Sequence, residues 1–199
     1  MPTLHLGFLA SHGGSNMQAI IDACKSGRLD AIPCCVISNN SDSKALERAA
    51  KEGIPYYHIS AIKYPDPKEL DKAIIEKFTQ HGVDTVILAG YMKKLGHTVI
   101  NRFNGRILNI HPALLPKYGG KGMYGNFVHE AVIKAKEKFS GPTVHLVDAN
   151  YDKGRILGQK KVPVLPDDTI ETLAERVLQQ EHVLYPEVLQ KIATGEIII

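Results

Sequence analysis

Short apolar runs alternate along this chain with amphipathic segments of helical period. The apolar runs have the length of buried strands and lie at residues 3–10, 31–38, 55–60, 84–90, 105–110 and 141–148. The amphipathic segments lie at residues 15–27, 42–53, 66–82, 126–138 and 168–193. A further strand over 154–164 is interrupted by Pro163. This alternation predicts an α/β fold with a doubly wound, mostly parallel sheet and helices on both faces.

The same pattern predicts a single domain over residues 1–199. The sequence contains no internal repeat, linker or low-complexity tract. A length of 199 residues fits one domain that buries a substantial core. Ligands of such sheets bind beyond the carboxyl ends of the strands, so the residues that follow each strand are the first candidates for function.

Composition narrows the classes of partner. The chain is 44% hydrophobic and 23% charged, which is ordinary for a globular protein. A net charge of +3, with no run of Lys or Arg, is too mild to indicate nucleic acid, so we expect small-molecule substrates and no nucleic-acid partner. An anionic small molecule remains compatible with this charge.

The cysteines and the apolar runs indicate an intracellular setting. Cys24, Cys34 and Cys35 are odd in number and two of them are adjacent, which does not suggest a disulfide framework. Their spacing to histidines is not that of a metal site, so we expect no metal. The N-terminus does not read as a signal peptide, and no apolar run approaches the roughly 20 residues of a membrane span. We therefore expect a cytoplasmic protein without a membrane partner.

Two glycine-containing turns follow strands. The turn "SHGGSN" (11–16) lies before a helix, and its Gly14, Ser15 and Asn16 can present backbone and side-chain donors to a phosphate at the helix N-terminus. The motif is neither the dinucleotide fingerprint nor a P-loop, and an ordinary capped turn is the alternative. The stretch "AGYMKKLG" (89–96) by itself favours a simple connecting loop with exposed Lys93 and Lys94.

Asn109 lies near the end of the apolar run "RILNI" (106–110), and His111 lies one residue beyond it. The two residues are two positions apart, so along an extended strand they face the same side. A histidine suits proton transfer near neutral pH, and a buried amide must be hydrogen-bonded. A strand that ends in structural polar residues is the alternative.

Acidic residues elsewhere are weaker candidates. The turn "DANYDKG" (148–154) follows the strand that contains His145, which we expect to be an ordinary core histidine. Its Asp152 is a carboxylate that can face His111 and raise the pKa of that ring, although turns rich in Asp are usually only turns. Glu181 falls on the apolar stripe of the last helix, where a carboxylate needs a partner or marks a polar ligand.

Seven stretches in this order resemble the glycinamide ribonucleotide formyltransferases, the folate-dependent enzymes of purine synthesis. They are "SNMQAIIDAC", "VISNN", "ALERAAKEGIP", "VILAGYMKKL", "GRILNIHPALLPKYGGKGMYG", "GPTVHLVDANYDKG" and "QQEHVLYP". They cover nearly the whole chain and are highly specific together, whereas "NIHPALLP" alone would indicate only the wider superfamily. The resemblance implies a Rossmann-like formyltransferase fold and 10-formyltetrahydrofolate as co-substrate, in a monomer or homodimer.

The resemblance also implies roles for individual residues. Asn109, His111 and Asp152 would be the catalytic trio, with Asp152 holding His111 charged while Asn109 and His111 donate to a tetrahedral oxyanion. Gly14, Ser15 and Asn16 would bind substrate phosphate, and Glu181 would contact the ribose. The folate pocket would be lined by Met92, Lys93, Lys94, Leu95, Asp148, Ala149, Asn150 and Tyr151 together with Asn109.

Some positions depart from the family pattern. Pro67 stands where many members have an arginine, so a folate contact is lost there unless Lys63 or Lys68 replaces it. The loop 118–126, "YGGKGMYGN", is longer and richer in glycine than in some relatives and is a candidate mobile flap. A cis bond is expected at Leu115–Pro116.

Three other readings compete with this one. Methionyl-tRNA and sugar formyltransferases share the Asn–His–Asp core but usually have an extra C-terminal domain. Formyltetrahydrofolate hydrolases usually have an N-terminal regulatory module, whereas the first strand here starts at residue 3. A nonenzymatic nucleotide-binding module is the third reading, and the presence of all three polar catalytic candidates argues against it.

Overall fold

Strands and helices alternate through most of the computed structural model, which describes residues 3–199. Among these residues the strands are β1 (Leu4–Ala10), β2 (Ala31–Ser38), β3 (Tyr56–His58), β4 (Thr85–Leu88), β5 (Ile107–His111), β6 (Phe139–Ser140), β7 (Thr143–Leu146), β8 (Ile156–Gln159) and β9 (Val162–Pro163). The helices are α1 (Ser15–Lys25), α2 (Lys44–Lys51), α3 (Pro67–Gln80), α4 (His97–Arg102), α5 (Asn126–Lys134) and α6 (Ile170–Ala193).

The main sheet has the strand order β3-β2-β1-β4-β5-β7-β8. The pairs from β3 through β5 are parallel, and β7 and β8 extend the sheet in antiparallel pairs. The chain adds β2 and β3 on one side of β1 and then β4 and β5 on the other, so the connecting helices cover both faces of the sheet. The expectation of an α/β, mostly parallel, doubly wound sheet is therefore confirmed.

Alternating strand residues supply two apolar clusters, one for each face of the sheet. Phe8 packs in the cluster formed with α1, α2 and α6, whereas the next residue, Leu9, packs in the cluster formed with α3 and α4. Both side chains are fully buried. This division explains why the strands read as continuous apolar runs rather than as alternating ones.

The structure differs from the sequence-based expectations at two places. Helix α4 was not predicted, because six residues are too few to show a helical period; Asp71 of α3 stabilises its start by accepting from the Thr98 N–H at 3.1 Å. The predicted strand over 154–164 is instead two strands, with β8 in the main sheet and β9 paired with β6. Pro163 lacks a backbone donor and lies at the end of β9.

Tyr185 of α6 ties the helix to the centre of the sheet. The side chain is fully buried, and its phenol donates to the carbonyl of Leu108 at 2.9 Å and lies 3.3 Å from that of Leu88. Burial raises the pKa of the phenol well above its usual value, so the hydroxyl stays protonated and remains a donor. Helix α6 is therefore held at a fixed position beneath β4 and β5.

Substitution Tyr185→Phe is expected to lower the free energy of unfolding by about 1–2 kcal/mol, because it removes a buried donor and leaves its acceptors less satisfied. Urea denaturation followed by circular dichroism measures the change. Tyr56→Phe is the matched control, because Tyr56 is 49% exposed. Equal stability of Tyr185→Phe and the control would contradict a structural role for this hydroxyl.

Candidate active site

A cavity of about 540 Å³ opens at the carboxyl ends of β4 and β5. The three candidate catalytic residues, Asn109, His111 and Asp152, all line it. So do the residues expected in the folate pocket, namely Met92, Lys93, Lys94, Leu95, Asp148, Ala149, Asn150 and Tyr151. The fold therefore brings together residues from three separate stretches of sequence at the edge where a doubly wound sheet binds ligands.

His145 of β7 orients the amide of Asn109. The two residues lie opposite each other in the antiparallel pair of β5 and β7, and Asn109 Nδ2 lies 3.1 Å from His145 Nε2. His145 Nδ1 lies 2.8 Å from the carbonyl of Leu146, which can only accept. In the neutral ring Nδ1 therefore carries the proton, and Nε2 accepts from the Asn109 amide. His145 is buried and hydrogen-bonded, as expected of a core histidine, and it also lines the cavity.

The contact between His145 and Asn109 could not be predicted from the sequence. In the antiparallel pair of β5 and β7, His145 lies opposite Asn109. The two residues are far apart in sequence, so no pattern local to His145 indicates this pairing.

Asp152 lies between two imidazoles. Its Oδ2 is 3.7 Å from His111 Nδ1, and its Oδ1 is 3.5 Å from His145 Nε2. The Gly120 N–H also donates to Oδ2 at 2.8 Å. Burial by itself would raise the pKa of Asp152, but the adjacent His145 ring, the hydrogen bond from the Gly120 N–H and the nearby His111 ring together lower it below its usual value. The carboxylate is therefore ionised at neutral pH.

His111 is buried at the end of β5, within the strand rather than one residue beyond it as expected. Its Nε2 donates to the carbonyl of Tyr118 at 2.7 Å, which leaves Nδ1 facing Asp152. Burial lowers the pKa of the ring and outweighs the opposing effect of Asp152, so the pKa of His111 lies below its usual value of 6.5. The expectation that Asp152 holds His111 charged was therefore wrong for the unliganded protein, in which the ring is neutral at neutral pH.

We expect the His111 ring of the unliganded protein to titrate below 6.5, and to titrate lower still in Asp152→Asn, because that change removes the charge that favours the imidazolium. Histidine-ring NMR spectra recorded across pH measure this, with His111→Gln identifying the signal. The control is Asp148→Asn, which neutralises a different carboxylate of the cavity wall. A His111 pKa above 6.5 in the unliganded protein would contradict the balance described here.

The turn before α1 has the features of an anion site. Gly14 has a left-handed backbone with φ 64°, and a Cβ there would lie 2.8 Å from the Cβ of Ala45. Among the described residues no side chain caps this helix, so the N–H groups of Ser15 and Asn16 are not used by a cap. Ser11 links the turn to the cavity wall, because its hydroxyl accepts from the Met92 N–H at 2.7 Å.

Asn16 and Glu181 form a buried pair next to this turn. Asn16 Nδ2 donates to Glu181 Oε2 at 2.6 Å, and Asn16 Oδ1 has no hydrogen-bond partner within residues 3–199. Burial raises the pKa of Glu181 to about 7, and the hydrogen bond from Asn16 only partly opposes this. The structure thus brings Glu181 next to the turn formed by Gly14, Ser15 and Asn16. None of these four residues lines the main cavity.

Because the pKa of Glu181 rises from 4.5 to about 7 on folding, the folded protein binds more protons than the unfolded chain between these pH values. The free energy of unfolding is therefore expected to fall as pH rises through this window, by roughly 2–3 kcal/mol relative to Glu181→Gln. Urea titrations of both proteins at pH 4.5 and pH 7.5 measure the difference. Parallel pH dependence in the two proteins would contradict the assignment.

The loop 118–126 forms one wall of the main cavity. Gly120, Gly122 and Gly125 have positive φ angles, and Met123 and Tyr124 line the cavity between them. Tyr124 is half exposed and packs edge-on against Phe127 with ring centroids 5.4 Å apart. The cis bond expected at Leu115–Pro116, just before this loop, is confirmed.

Pro67 is the first residue of α3, where Asp66 caps the helix by accepting from the Lys68 N–H at 2.9 Å. Neither Lys63 nor Lys68 is among the residues that line the cavity, whereas Lys93, Lys94 and Lys121 are. The geometry therefore gives no support to Lys63 or Lys68 as replacements for the missing arginine.

Residues 3–199 contain neither a metal-binding cluster nor a membrane-spanning helix. No group of three or more His, Cys, Asp or Glu side chains in residues 3–199 is arranged to hold a metal ion. Over the same residues, no helix has both the length and the apolar character needed to cross a membrane.

Comparison with known proteins agrees with the fold. The formyl transferase family model matches residues 5–189. The chain is 41% identical over 192 residues to a phosphoribosylglycinamide formyltransferase of Haemophilus influenzae, which covers 96% of this chain and 88% of the relative. The chain therefore belongs to the formyl transferase family.

Within that family, other similar proteins are also named as enzymes that act on glycinamide ribonucleotide. A chloroplastic phosphoribosylglycinamide formyltransferase of Vigna unguiculata is 43% identical over 97% of this chain, and the chain spans only 62% of that relative's length. The crystal structure of glycinamide ribonucleotide transformylase 1 from Symbiobacterium toebii superimposes with a TM-score of 0.93 at 39% identity, covering 99% of this chain and 91% of that one. The resemblance drawn from the sequence motifs is confirmed.

Proposed function

We propose that the chain transfers a formyl group from 10-formyltetrahydrofolate to the amine of glycinamide ribonucleotide, a step of purine biosynthesis. One observation carries the proposal most directly: Asn109, His111 and Asp152 line a single cavity at the carboxyl ends of β4 and β5, in a chain of this family. Both substrates are small molecules, and the chemistry uses no metal.

The two substrates occupy adjoining parts of the site. The cavity takes the folate, with Met92 to Leu95 on one side and Asp148 to Tyr151 on the other. The turn at Gly14, Ser15 and Asn16 takes the phosphate, and Glu181 accepts from a ribose hydroxyl. Lys94 Nζ lies 5.6 Å from the ring centroid of Tyr151, which gives the folate pocket a cationic and aromatic edge.

Asn109 stabilises the oxyanion that forms when the amine attacks the formyl carbon. One N–H of its amide is directed at His145 Nε2, so the plane of the amide is fixed before substrate binds. The second N–H is then available to the developing charge. Donors fixed in advance cost no reorganisation during the reaction, which is why they are usually a large catalytic contribution.

His111 accepts the proton that the attacking amine must lose. The neutral ring of the unliganded protein has its free Nδ1 directed at Asp152, so a proton received there creates an imidazolium beside a carboxylate. An oxyanion that develops nearby raises the pKa of His111 further in the same direction. The proton can then pass to the departing folate nitrogen, directly or through water.

The loop 118–126 excludes water when substrates are bound. Its left-handed glycines permit movement, and Tyr124 and Met123 supply apolar cover over the cavity. Exclusion of water protects the formyl donor from hydrolysis and strengthens the electrostatic contacts inside the site. A cytoplasmic location and a monomeric or homodimeric state remain predictions from the sequence.

Substitution of Asn109, His111 or Asp152 by alanine is expected to lower kcat for formyl transfer by about 100- to 1,000-fold, since each change removes a fixed donor, a proton acceptor or its charge partner. The assay follows deformylated folate after incubation with both substrates. Matched controls are Asn101→Ala, His97→Ala and Asp167→Ala, which change exposed residues outside the cavity. Near wild-type turnover in all three folded cavity variants would overturn the mechanism.

The same assay separates transfer from the rival reading as a formyltetrahydrofolate hydrolase. Transfer requires the amine, so deformylated folate is expected only when glycinamide ribonucleotide is present. Release of deformylated folate at the same rate without the amine would favour the hydrolase. Absence of both reactions in the folded protein would favour a nonenzymatic binding module.

A further inference from the structure

A second cavity, of about 560 Å³, lies beside β6 and the end of α5. It shares no lining residue with the main cavity. Neither the motifs of the sequence nor the formyl-transfer chemistry uses it. Its side chains nevertheless combine positive charge, a buried hydroxyl and apolar surface.

Four lysines give this second cavity its charge. Lys117 pairs with Glu137, with Nζ and Oε1 2.9 Å apart. The other lysines, Lys136, Lys138 and Lys161, form no ion pair with any residue of the chain from 3 to 199. The cavity therefore presents three uncompensated positive charges, which favours an anion with more than one negative charge.

Ser140 adds an unused hydrogen-bonding group. The residue is only 2% exposed, and it lies in β6 where its backbone pairs with Val162. Its Oγ has no hydrogen-bond partner among the described residues, although the residue lines the cavity. A buried hydroxyl without a partner costs free energy, so a ligand oxygen that bonds to it would recover that cost.

The remaining walls are apolar. Leu114 and Val132 line the cavity, and the ring of Phe139 is half exposed. Lys161 Nζ lies 5.7 Å from the centroid of that ring, so the aromatic surface and a cation are side by side. An occupant that matches all three properties has a multiply charged anionic group and a flat organic group next to it.

We propose that this cavity binds a phosphate monoester with a flat organic group, such as a nucleoside monophosphate. The phosphate is held by Lys136, Lys138 and Lys161 and by the Ser140 hydroxyl. The organic group packs on Phe139. The binding of this ligand does not depend on formyl transfer.

Tyr118 connects this second cavity to the active site. Its phenol donates to Glu137 Oε1 at 2.9 Å, and its carbonyl accepts from His111 Nε2 at 2.7 Å. A phosphate in the cavity also attracts Lys117, the ion-pair partner of the Glu137 carboxylate that accepts from the phenol. We therefore expect occupancy of the second cavity to change the rate of formyl transfer through Tyr118.

Isothermal titration with adenosine 5′-monophosphate tests the site, with inorganic phosphate and adenosine as partial ligands. We expect one molecule bound per chain, with each partial ligand at least about tenfold weaker. Lys138→Gln/Lys161→Gln and Ser140→Ala are expected to weaken binding about tenfold or more. The matched control is Lys134→Gln/Lys191→Gln, which removes two exposed lysines outside the cavity and changes the net charge equally.

Three results would overturn the site. They are no binding at millimolar concentration, equal affinity in the Lys138→Gln/Lys161→Gln protein, and loss of binding in Asn16→Ala, which would place the ligand at the turn before α1. Inorganic phosphate binding as tightly as the nucleotide would overturn the role of Phe139. A formyl-transfer rate that the nucleotide changes in wild type but not in the lysine double variant supports the connection through Tyr118, and an unchanged rate in wild type overturns it.

Discussion

A buried carboxylate sets the geometry of the active site. Asp152 is ionised with a side chain only 12% exposed, and such a charge is stable only when several groups compensate for it. Three segments contact it: β5 and β7 through the rings of His111 and His145, which lie 3.7 Å and 3.5 Å from its oxygens, and the loop that follows β5 through the Gly120 N–H, which donates to it. One charge therefore fixes the relative positions of three segments that are distant in sequence, and the amide of Asn109 inherits its orientation from the same set of contacts.

The active site also depends on a change of strand direction. Up to β5 the sheet is parallel and places polar residues at one edge, but β7 runs the other way and contributes a side chain from within the strand. His145 consequently reaches the edge residue Asn109 from a neighbouring strand. The antiparallel extension thus supplies the hydrogen-bond acceptor for the Asn109 amide.

Sequence reasoning predicted the parallel part of the fold and the polar residues at strand ends, because apolar runs and the residues that follow them are local features. It could not predict the short α4, whose start depends on Asp71 from another helix, or the role of His145, which depends on register with β5. The charge of His111 was predicted wrongly for a related reason. Burial lowers the pKa of His111 and the charge of Asp152 raises it, so the result depends on how deeply the ring is buried. The extent of burial is a property of the whole packed structure.

The anchoring of α6 by Tyr185 has a consequence for how accurately the two substrates meet. Glu181 lies one helical turn before Tyr185, and the carbonyl that receives the phenol belongs to Leu108, the neighbour of Asn109. The proposed ribose contact and the proposed oxyanion donor are therefore positioned from a single fixed point in the core. A misplacement of about 1 Å can cost a reaction roughly 100-fold in rate, so the precision of the proposed transfer would depend partly on a residue that lines neither substrate site.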